Sequence, residues 1–500
     1  MTSDSLILSI DQGTTSSRVM LFDRSFRQVF CEQRPLTLSY PHDGWVEQNP
    51  AEITADVIDL VKHAVRYAEQ ENRAIAYAGL TNQRETVIAW DRSTGCALYP
   101  AIVWQDRRTA TYCAALTSTY DESQLQRKTG LFFDPYFSAS KIRWLFDNVP
   151  EVSAKAHSGE LMVGTIDSFV AFHLLENQPH ITDATNASRT ALMTLSSSEW
   201  NAELLELFEL PEAILPKIVS NTGTFGTIKD TNISLVAMIG DQQSAALGQA
   251  CVGSGDVKST YGTGCFILAN TGSDQPISKS RLVTTLAYQD RGERSFALEG
   301  SLFNAGSAVQ WLRDGLGIIP TSPDIEALAK QSSPASTVMM VPAFTGLGAP
   351  DWLPDARASF FGISRDSTRA DFAKATLEAL AFQTRDLLLC LQEDGAFANA
   401  AQAIKVDGGM SENTLFVQLV ADICERSILR PAERECTALG VAMLARCYME
   451  KEPLSRLKQW WQIDRSWAPT LSASDLVVKA KRWSAAKKAC SMYAKEAQVS

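Results

Sequence analysis

The chain lacks most of the signatures that would assign it at a glance. Its ten cysteines stand singly with no CxxC pair, and its five histidines form no HExxH or similar cluster. Structural zinc needs paired ligands at short spacing, so this pattern argues against it; scattered single cysteines suit reduced thiols in a cytosol. Nothing signals a Ser-His triad either. No window approaches the roughly 20 apolar residues of a membrane span. The opening MTSDSLILSIDQG has no basic n-region and only a short apolar run before Asp11, so neither a signal peptide nor a membrane helix is expected there. Positive charge is also short: 46 Lys and Arg against 57 Asp and Glu give a net −11. That balance opposes nonspecific attraction to nucleic acid or to an anionic membrane, so any anionic ligand must be held by local groups. The common nucleotide motifs are missing as well. There is no GxxxxGK[ST], no HRD or DFG, and Gly262-Thr-Gly264 and Gly346-Leu-Gly348 both lack the third glycine of GxGxxG.

What is present is an ordinary globular composition, 45% hydrophobic and 21% charged over 500 residues, enough for roughly two to four domains. Strand-like and helix-like patterns alternate throughout, the mark of an α/β protein. From Leu6 to Asp23 two apolar arms flank Asp11-Gln12-Gly13-Thr14-Thr15-Ser16 and read as a hairpin with a polar tip. Such a tip is either an ordinary turn or a phosphate grip. In the second case Gly13 admits an oxyanion to backbone N–H groups, Thr14, Thr15 and Ser16 add hydroxyl donors, Arg18 adds a cation, and Asp11 holds Mg²⁺ directly or through water. A second hairpin of the same plan runs from Val257 to Asn270, with Gly262, Thr263 and Gly264 at its tip. One such tip per half suggests a duplicated core, with a boundary in the small-residue stretch Ala250 to Gly255 and domains of 1–250 and 251–500.

Other elements emerge from local signals. Asn49-Pro50-Ala51-Glu52 begins a helix, with Ile53, Val57, Leu60, Val61 and Ala64 on one face. Ala74 to Leu80 reads as a strand that delivers Thr81 to Glu85 to its C-terminal end, where ligands gather in open α/β sheets. Asp241 stands where a strand gives way to a helix, which suits an N-cap and equally a reactive carboxylate. The second half continues with a strand around Ser295 to Leu298, a helix from Ala305 to Gly315, a strand at Val338 to Val341 and a long helix from Arg369 to about Leu391. A strand then runs from Ile404 into the Asp407-Gly-Gly409 turn, and a helix begins at Asn413. Lys479 to Lys488 reads as a solvated helix face.

Taken in order, DQGTTSSR (11–18), GWVEQNP (44–50), TNQRET (81–86), AIVWQDRRTA (101–110), DPYFSASKIRWL (134–145), TDATNASRT (182–190), GDQQSA (240–245), STYGTGCF (259–266), AGSAVQWLRD (305–314), VPAFTGLGAP (341–350) and DGGMSEN (407–413) span most of the chain. With these blocks the sequence resembles the FGGY carbohydrate kinase family, and within it the members that phosphorylate glycerol. The resemblance implies two ribonuclease H-like domains of the actin, hexokinase and Hsp70 type, each with a mixed sheet, and an interdomain cleft between them. It implies a cytoplasmic enzyme of glycerol catabolism that transfers the γ-phosphoryl group of ATP to the 3-hydroxyl of glycerol with Mg²⁺, and a homodimer or homotetramer.

The resemblance also implies roles for individual residues. Asp241 matches the general base. Arg84, Glu85, Tyr136 and Gln242 match the residues that bind the polyol; taken without the family, Arg84 and Glu85 read as a surface ion pair. Both reach one ligand only if they lie in irregular backbone beyond the strand, because neighbours on a strand face opposite ways. Trp104 and Phe266 match apolar walls against the glycerol carbons, or else pack in a core. For ATP, Thr14, Thr15, Ser16 and Arg18 match the first phosphate loop, Thr263 matches the second, and Gly306, Gln310, Gly409 and Asn413 match the β-phosphate and adenosine end; DGGMSEN alone is only a strand-to-helix turn. Asp11 matches the Mg²⁺ carboxylate, acting through water. Rival readings are an FGGY kinase for another small polyol or sugar, and a noncatalytic actin- or Hsp70-like nucleotide switch. Two departures stand out. The stretch between Phe225 and Gly240 has no Gly-rich basic insertion, which argues against sugar-bisphosphate control, and Asp351 to Ser359 departs from the family pattern at the cleft edge or at a subunit contact.

Overall fold

Three strands open the fold: β1 (Leu6–Gln12), β2 (Ser16–Phe22) and β3 (Gln28–Pro35) form an antiparallel meander. The computed structural model describes residues 5–396 and 402–497; the first four residues, on which the reading of the N-terminus partly rests, and the ends of the 1–250 and 251–500 spans lie outside the described residues. The tip between β1 and β2 is closed by Gly13 N–H donating to the Ser16 carbonyl at 2.9 Å, and Asp11 pairs in register with Arg18. Helix α1 (Pro50–Gln70) starts as its sequence predicts. The Asn49 side chain accepts from Ala51 N–H, Pro50 needs no donor there, and Ile53, Val57, Leu60, Val61 and Ala64 are buried.

Next come β4 (Ile75–Asn82), parallel to β1, and, after a long excursion, β5 (Ser234–Gly240), parallel to β4. Gln12 stands opposite Asn82, and Asn82 opposite Gly240, so β1, β4 and β5 end level. The residues just past each of these strands therefore emerge at one edge of the sheet. A smaller four-stranded sheet is built from Glu47–Gln48, which precedes α1, and from Val87–Asp91, Ala101–Ile102 and Leu161–Thr165 in the excursion between β4 and β5. Beyond β5 lies helix α2 (Asp241–Gly248).

The second half repeats this plan. Strands β6 (Val257–Tyr261), β7 (Cys265–Gly272) and β8 (Glu293–Leu302) are antiparallel neighbours. Helices α3 (Gly306–Asp314) and α4 (Arg369–Glu393) intervene before β9 (Ile404–Asp407), parallel to β6; α5 (Thr414–Cys424) then leads to β10 (Ile428–Pro431), parallel to β9. The orders β3-β2-β1-β4-β5 and β8-β7-β6-β9-β10 are the same, with the same directions, each extended by one or two edge strands. This is the duplicated core expected from the paired hairpins, with a mixed sheet in each half, laid out on the ribonuclease H-like plan that the resemblance implies.

Helix α6 (Cys436–Glu450) comes after β10 yet packs on the first sheet, burying Ala438, Val441, Ala442 and Ala445 against Ile7, Met20, Tyr77 and Ile239. It crosses α2 at backbone contact. A Cβ at Gly440 would stand 1.8 Å from the Ser244 carbonyl oxygen, and one at Gly248 would stand 2.1 Å from that of Cys436. The last helix, α7 (Ala473–Ala497), corrects the reading of the basic tail as a solvated face. Leu476, Trp483, Ala486 and Cys490 enter the second core, Lys487 bridges Asp351 and Asp386 at 2.9 Å each, and Lys479 bonds Glu378 at 2.8 Å. The apolar stripe is diluted among lysines, and their acidic partners lie about a hundred residues away or more. One departure of the sequence is thereby placed, since Asp351 is the partner of Lys487. Among the described residues no helix is long and apolar enough to cross a membrane.

Because the obstacle at Gly440 is backbone, it cannot be relieved by turning a side chain. Gly440→Ala is expected to cost about 1–3 kcal/mol, read as a lower denaturant midpoint at unchanged m; an unchanged midpoint would mean that the two helices part easily.

Candidate active site

Each hairpin tip has its carbonyls tied down and one N–H, of Gly13 or Gly262, spent on closing the turn, which leaves the remaining N–H groups and the hydroxyls for a ligand. Gln83 Nε2 donates to Gln12 Oε1 (3.2 Å), the Gly13 carbonyl (3.2 Å) and Gln48 Oε1 (2.9 Å); Gln48 Nε2 donates to the Thr14 carbonyl (2.5 Å), and Leu36 N–H to that of Thr15 (2.8 Å). In the second half, Gly306 N–H donates to the Gly262 carbonyl (3.0 Å), and Ala305 and Ser307 N–H donate to that of Thr263 (2.9 and 3.1 Å). Donors oriented this way favour an anion. Thr15 and Thr263 are exposed, whereas Thr14 and Ser16 are half-buried.

Gly306 sits where a Cβ would stand 2.7 Å from the Gly262 carbonyl oxygen, so its missing side chain lets α3 abut the tip. Gln310 is exposed on α3. Gly408, with φ +83°, packs on Tyr261, whereas Gly409 has nothing within 4 Å of where a Cβ would be and faces open space. Asn413 caps α5, its Oδ1 accepting from Phe416 N–H at 2.9 Å. Arg18 is not a free cation at the first tip: it pairs with Glu435 at the start of α6, and its Nε donates to Gln33 Oε1 at 3.1 Å.

The level strand ends bring Arg84, Glu85 and Asp241 together. Buried amides hold those ends: Asn82 and Asn186 exchange bonds of 3.0 and 2.9 Å, and Gly240 N–H donates to Thr185 Oγ1 at 2.9 Å. Arg84 and Glu85 are 3% and 1% exposed, so the surface-pair reading is corrected. Glu85 has φ +63°, in irregular backbone past β4, as their joint use requires.

These two residues bind others more closely than each other. Arg84 Nη1 and Nη2 donate to Glu299 Oε2 and Oε1 (2.7 and 3.2 Å), Nη1 also donates to Gln243 Oε1 (3.2 Å), and Nε lies 3.2 Å from Asp241 Oδ1. Fully buried Arg189 donates from Nε to Glu85 Oε1 (2.5 Å) and from Nη2 to Glu299 Oε1 (3.0 Å). Charges therefore alternate along Glu85, Arg189, Glu299, Arg84 and Asp241.

This alternation sets the electrostatics. Burial alone would raise the carboxyl of Glu299, but Arg189 and Arg84 outweigh it and hold it at about 2. Burial raises Asp241, with Arg84 and Lys258 opposing, and raises Glu85 against Arg189 and Arg84. Burial pushes Asp11 up to about 7; Arg18 opposes, and Asp241 and Glu435 add to the rise. Tyr136 is raised by burial and by Glu85.

Trp104 joins the two regions. Its Nε1 donates to Thr14 Oγ1 at 2.9 Å, and its ring meets Tyr136 at 5.6 Å and Phe266, from the second half, at 6.2 Å. Trp104 and Phe266 are half-buried, an interdomain wall rather than part of a sealed core. Gln242 Oε1 accepts from Lys258 Nζ at 2.5 Å.

Sequence reasoning gave no role to Glu299, Arg189, Lys258 or Gln243. A signal existed for two of them: Glu299 and Lys258 are charges inside strands otherwise bound for the core, and a buried charge needs a partner. Among the described residues no group of three or more His, Cys, Asp or Glu is placed to hold a metal. The donor set that fits Mg²⁺ is the pair Asp11 and Asp241, two half-buried carboxylates whose charges act on each other, because a hydrated Mg²⁺ takes one or two carboxylates and keeps its waters.

Residues 6–248 match the N-terminal domain of the FGGY family of carbohydrate kinases, and residues 257–448 match its C-terminal domain. The chain is 45% identical to a glycerol kinase of Burkholderia ambifaria over 99% of this chain and all of that protein. It is also 45% identical to one of Cereibacter sphaeroides over 97% and 99% of the two chains. Among solved structures it is similar to Plasmodium falciparum glycerol kinase with ADP, at TM-score 0.92 and 35% identity over 97% of this chain and 98% of that one. A xylulose-type kinase from Brucella ovis, at TM-score 0.87 and 23% identity over 99% and 100% of the two chains, shares the fold.

Glu299→Gln leaves two buried guanidinium groups without their shared counter-charge, and is expected to lower the unfolding free energy at pH 7 by about 3–5 kcal/mol. A carboxyl held at about 2 instead of 4.5 contributes stability above pH 4.5 that is lost as pH falls towards 2. The acid limb of the stability profile should therefore be steeper in the parent than in the variant. Parallel limbs would mean that Glu299 is not what holds the pair.

Proposed function

Since the chain belongs to the FGGY family of carbohydrate kinases, we propose that it transfers the terminal phosphoryl group of ATP to the 3-hydroxyl of glycerol, giving sn-glycerol 3-phosphate and ADP. The full-length likeness to glycerol kinases supports the substrate. The observation that carries the reading is the Trp104 contact set: one hydrogen bond to Thr14 at the first tip, with ring contacts to Tyr136 and Phe266. An apolar wall for three carbons thus adjoins both the first tip and Tyr136, one of the residues proposed to bind the polyol.

Asp241 acts as general base. Its Oδ1 is engaged by Gln242 N–H at 2.6 Å and by Arg84 Nε at 3.2 Å, so Oδ2 accepts the hydroxyl proton. In a loose phosphoryl transfer that proton leaves late, and aiming the hydroxyl matters at least as much as basicity. The burial that raises Asp241 helps in the same direction. Arg84, Glu85, Tyr136 and Gln242 bind the hydroxyls; a triol has little apolar area, so selectivity comes from polar groups that a wrong substrate leaves unpaired. Thr14, Thr15, Ser16, Arg18 and Thr263 hold the phosphates, and Gly306, Gln310, Gly409 and Asn413 serve the β-phosphate and adenosine end. Asp11 and Asp241 would hold Mg²⁺ through water, which when bound offsets the charge of the phosphates. Closure of the two halves limits ATP hydrolysis by excluding water. The same reading includes a domain boundary between 250 and 251, a cytoplasmic setting, and a homodimer or homotetramer.

Asp241→Asn is expected to keep glycerol and ATP affinity by calorimetry while kcat falls by about 10²- to 10⁴-fold in a coupled ADP-release assay with Mg²⁺; near-normal turnover would remove Asp241 from the role of base. In the parent, glycerol should give a higher kcat/KM than pentoses, tetritols or dihydroxyacetone. A preferred larger sugar would redirect the substrate, and ATP binding without glycerol binding would favour a nucleotide switch.

A further inference from the structure

Lys258 has no role in the site proposed above, yet it is fully buried at the base of the second hairpin and reaches Gln242 of the acceptor site. Its Nζ donates to Gln242 Oε1 at 2.5 Å and to Thr260 Oγ1 at 2.9 Å. Both direct partners are neutral. The charged groups around it are Asp407, Glu299 and Asp241, which favour its cation, and Arg84, which opposes it. Burying an ammonium is costly, so its geometry here calls for an explanation beyond packing.

The contact with Gln242 has a directional consequence. An ammonium only donates, so it can face only the carbonyl oxygen of the amide; turning the amide over would set NH₂ against NH₃⁺. Gln242 is thereby locked with Oε1 towards the second half and Nε2 as the group it offers elsewhere. A hydroxyl that accepts from Nε2 keeps its own hydrogen for another acceptor, and Asp241, the preceding residue, has Oδ2 free for it.

Resting on the proposed glycerol-phosphorylating function, we propose that Lys258 is a positioning residue that fixes Gln242 as an obligate donor and so directs the reacting hydroxyl's proton to Asp241. The assignment ties the halves together in a specific way. The strand that carries the second phosphate tip, β6, also sets the hydrogen-bond polarity of an acceptor site built on the first half.

The test is a double-mutant cycle on the full chain with Lys258→Met, Gln242→Ala and the double variant, measuring glycerol kcat and KM, ADP affinity by calorimetry and unfolding midpoints. Lys258→Met should lower kcat/KM for glycerol by about 10- to 100-fold, with kcat falling as well as KM rising and ADP affinity unchanged. Placed on Gln242→Ala, the same change should cost less than about threefold. Gln242→Glu supplies a readout that a merely structural role would not move. Its carboxylate pairs with Lys258 and should preserve or raise the unfolding midpoint, but cannot donate, so kcat/KM should fall as far as in Gln242→Ala. Additive losses in the cycle, or near-parental kcat/KM in Gln242→Glu, overturn the assignment in an enzyme whose parent phosphorylates glycerol. If Lys258→Met does not fold, near-parental kcat/KM in Gln242→Glu still overturns the assignment. A parent with no glycerol-dependent turnover overturns the proposed function and this assignment together.

Discussion

Two guanidinium groups almost sealed from water share one carboxylate, and that carboxylate comes from the other half of the chain. Glu299, on β8, accepts from Arg84 and Arg189 of the first half, while Arg189 also binds Glu85 and Arg84 also faces Asp241. An array of this kind gains little net stability over apolar residues of the same size, because desolvation consumes most of the Coulomb energy. What it does provide is direction. With both Nη atoms of Arg84 held by Glu299, its Nε can only face the Asp241 side, and Asp241 keeps one oxygen engaged and one free. The arrangement of the site thus depends on a cross-domain clamp in which Glu299 and Arg189, to which sequence reasoning gave no role, join the expected Arg84, Glu85 and Asp241.

The two tips answer a different requirement. A chain with net charge −11 attracts no anion by its overall field, so a triphosphate has to be held by groups at close range. Both halves solve this alike: their tip carbonyls are consumed by donors from the same half, amide side chains and Leu36 N–H in the first and the N-terminal backbone of α3 in the second. Arg18 also meets this constraint, since Glu435 neutralises it. On the proposed reading of the tips, N–H groups and hydroxyls therefore carry more of a phosphate grip than the lone arginine suggests.

Local signals carried much of the fold. The paired hairpins, the Asn49 cap, the α1 face and the long helix from Arg369 were readable because each rests on neighbours within a turn or a strand. The motif blocks also brought most candidate site residues to attention. Glu299, Lys258 and Arg189 escaped because their meaning lies in partners between 16 and 215 residues away, set by strand registers that no local pattern prints. The basic tail misled for the same reason: Lys487 looks solvated until α7 is laid against Asp351 and Asp386. Arg84 and Glu85 show the reverse case. A polar pair past a strand end looks exposed, and only the level ends of β1, β4 and β5 place it indoors.

The crossing of α2 and α6 limits how this site can move. Asp241 opens α2, and α2 touches α6 at backbone level near Ser244 and Gly440, while Ser9 of β1 donates to the Ala438 carbonyl at 2.8 Å and Arg18 of β2 holds Glu435. Asp241, the first tip and α6 are therefore linked through contacts with almost no slack, and a packed crossing of this kind shifts as a unit rather than deforming gradually. The bonds of Glu299 to Arg84 and Arg189, and of Lys258 to Gln242, carry the same coupling across to β8 and β6 of the second half. Phe266, on β7 between them, meets Trp104 at 6.2 Å. Any movement of one half against the other must therefore either carry these strands along with Asp241 and its arginine partner or break a buried ion pair, which is costly.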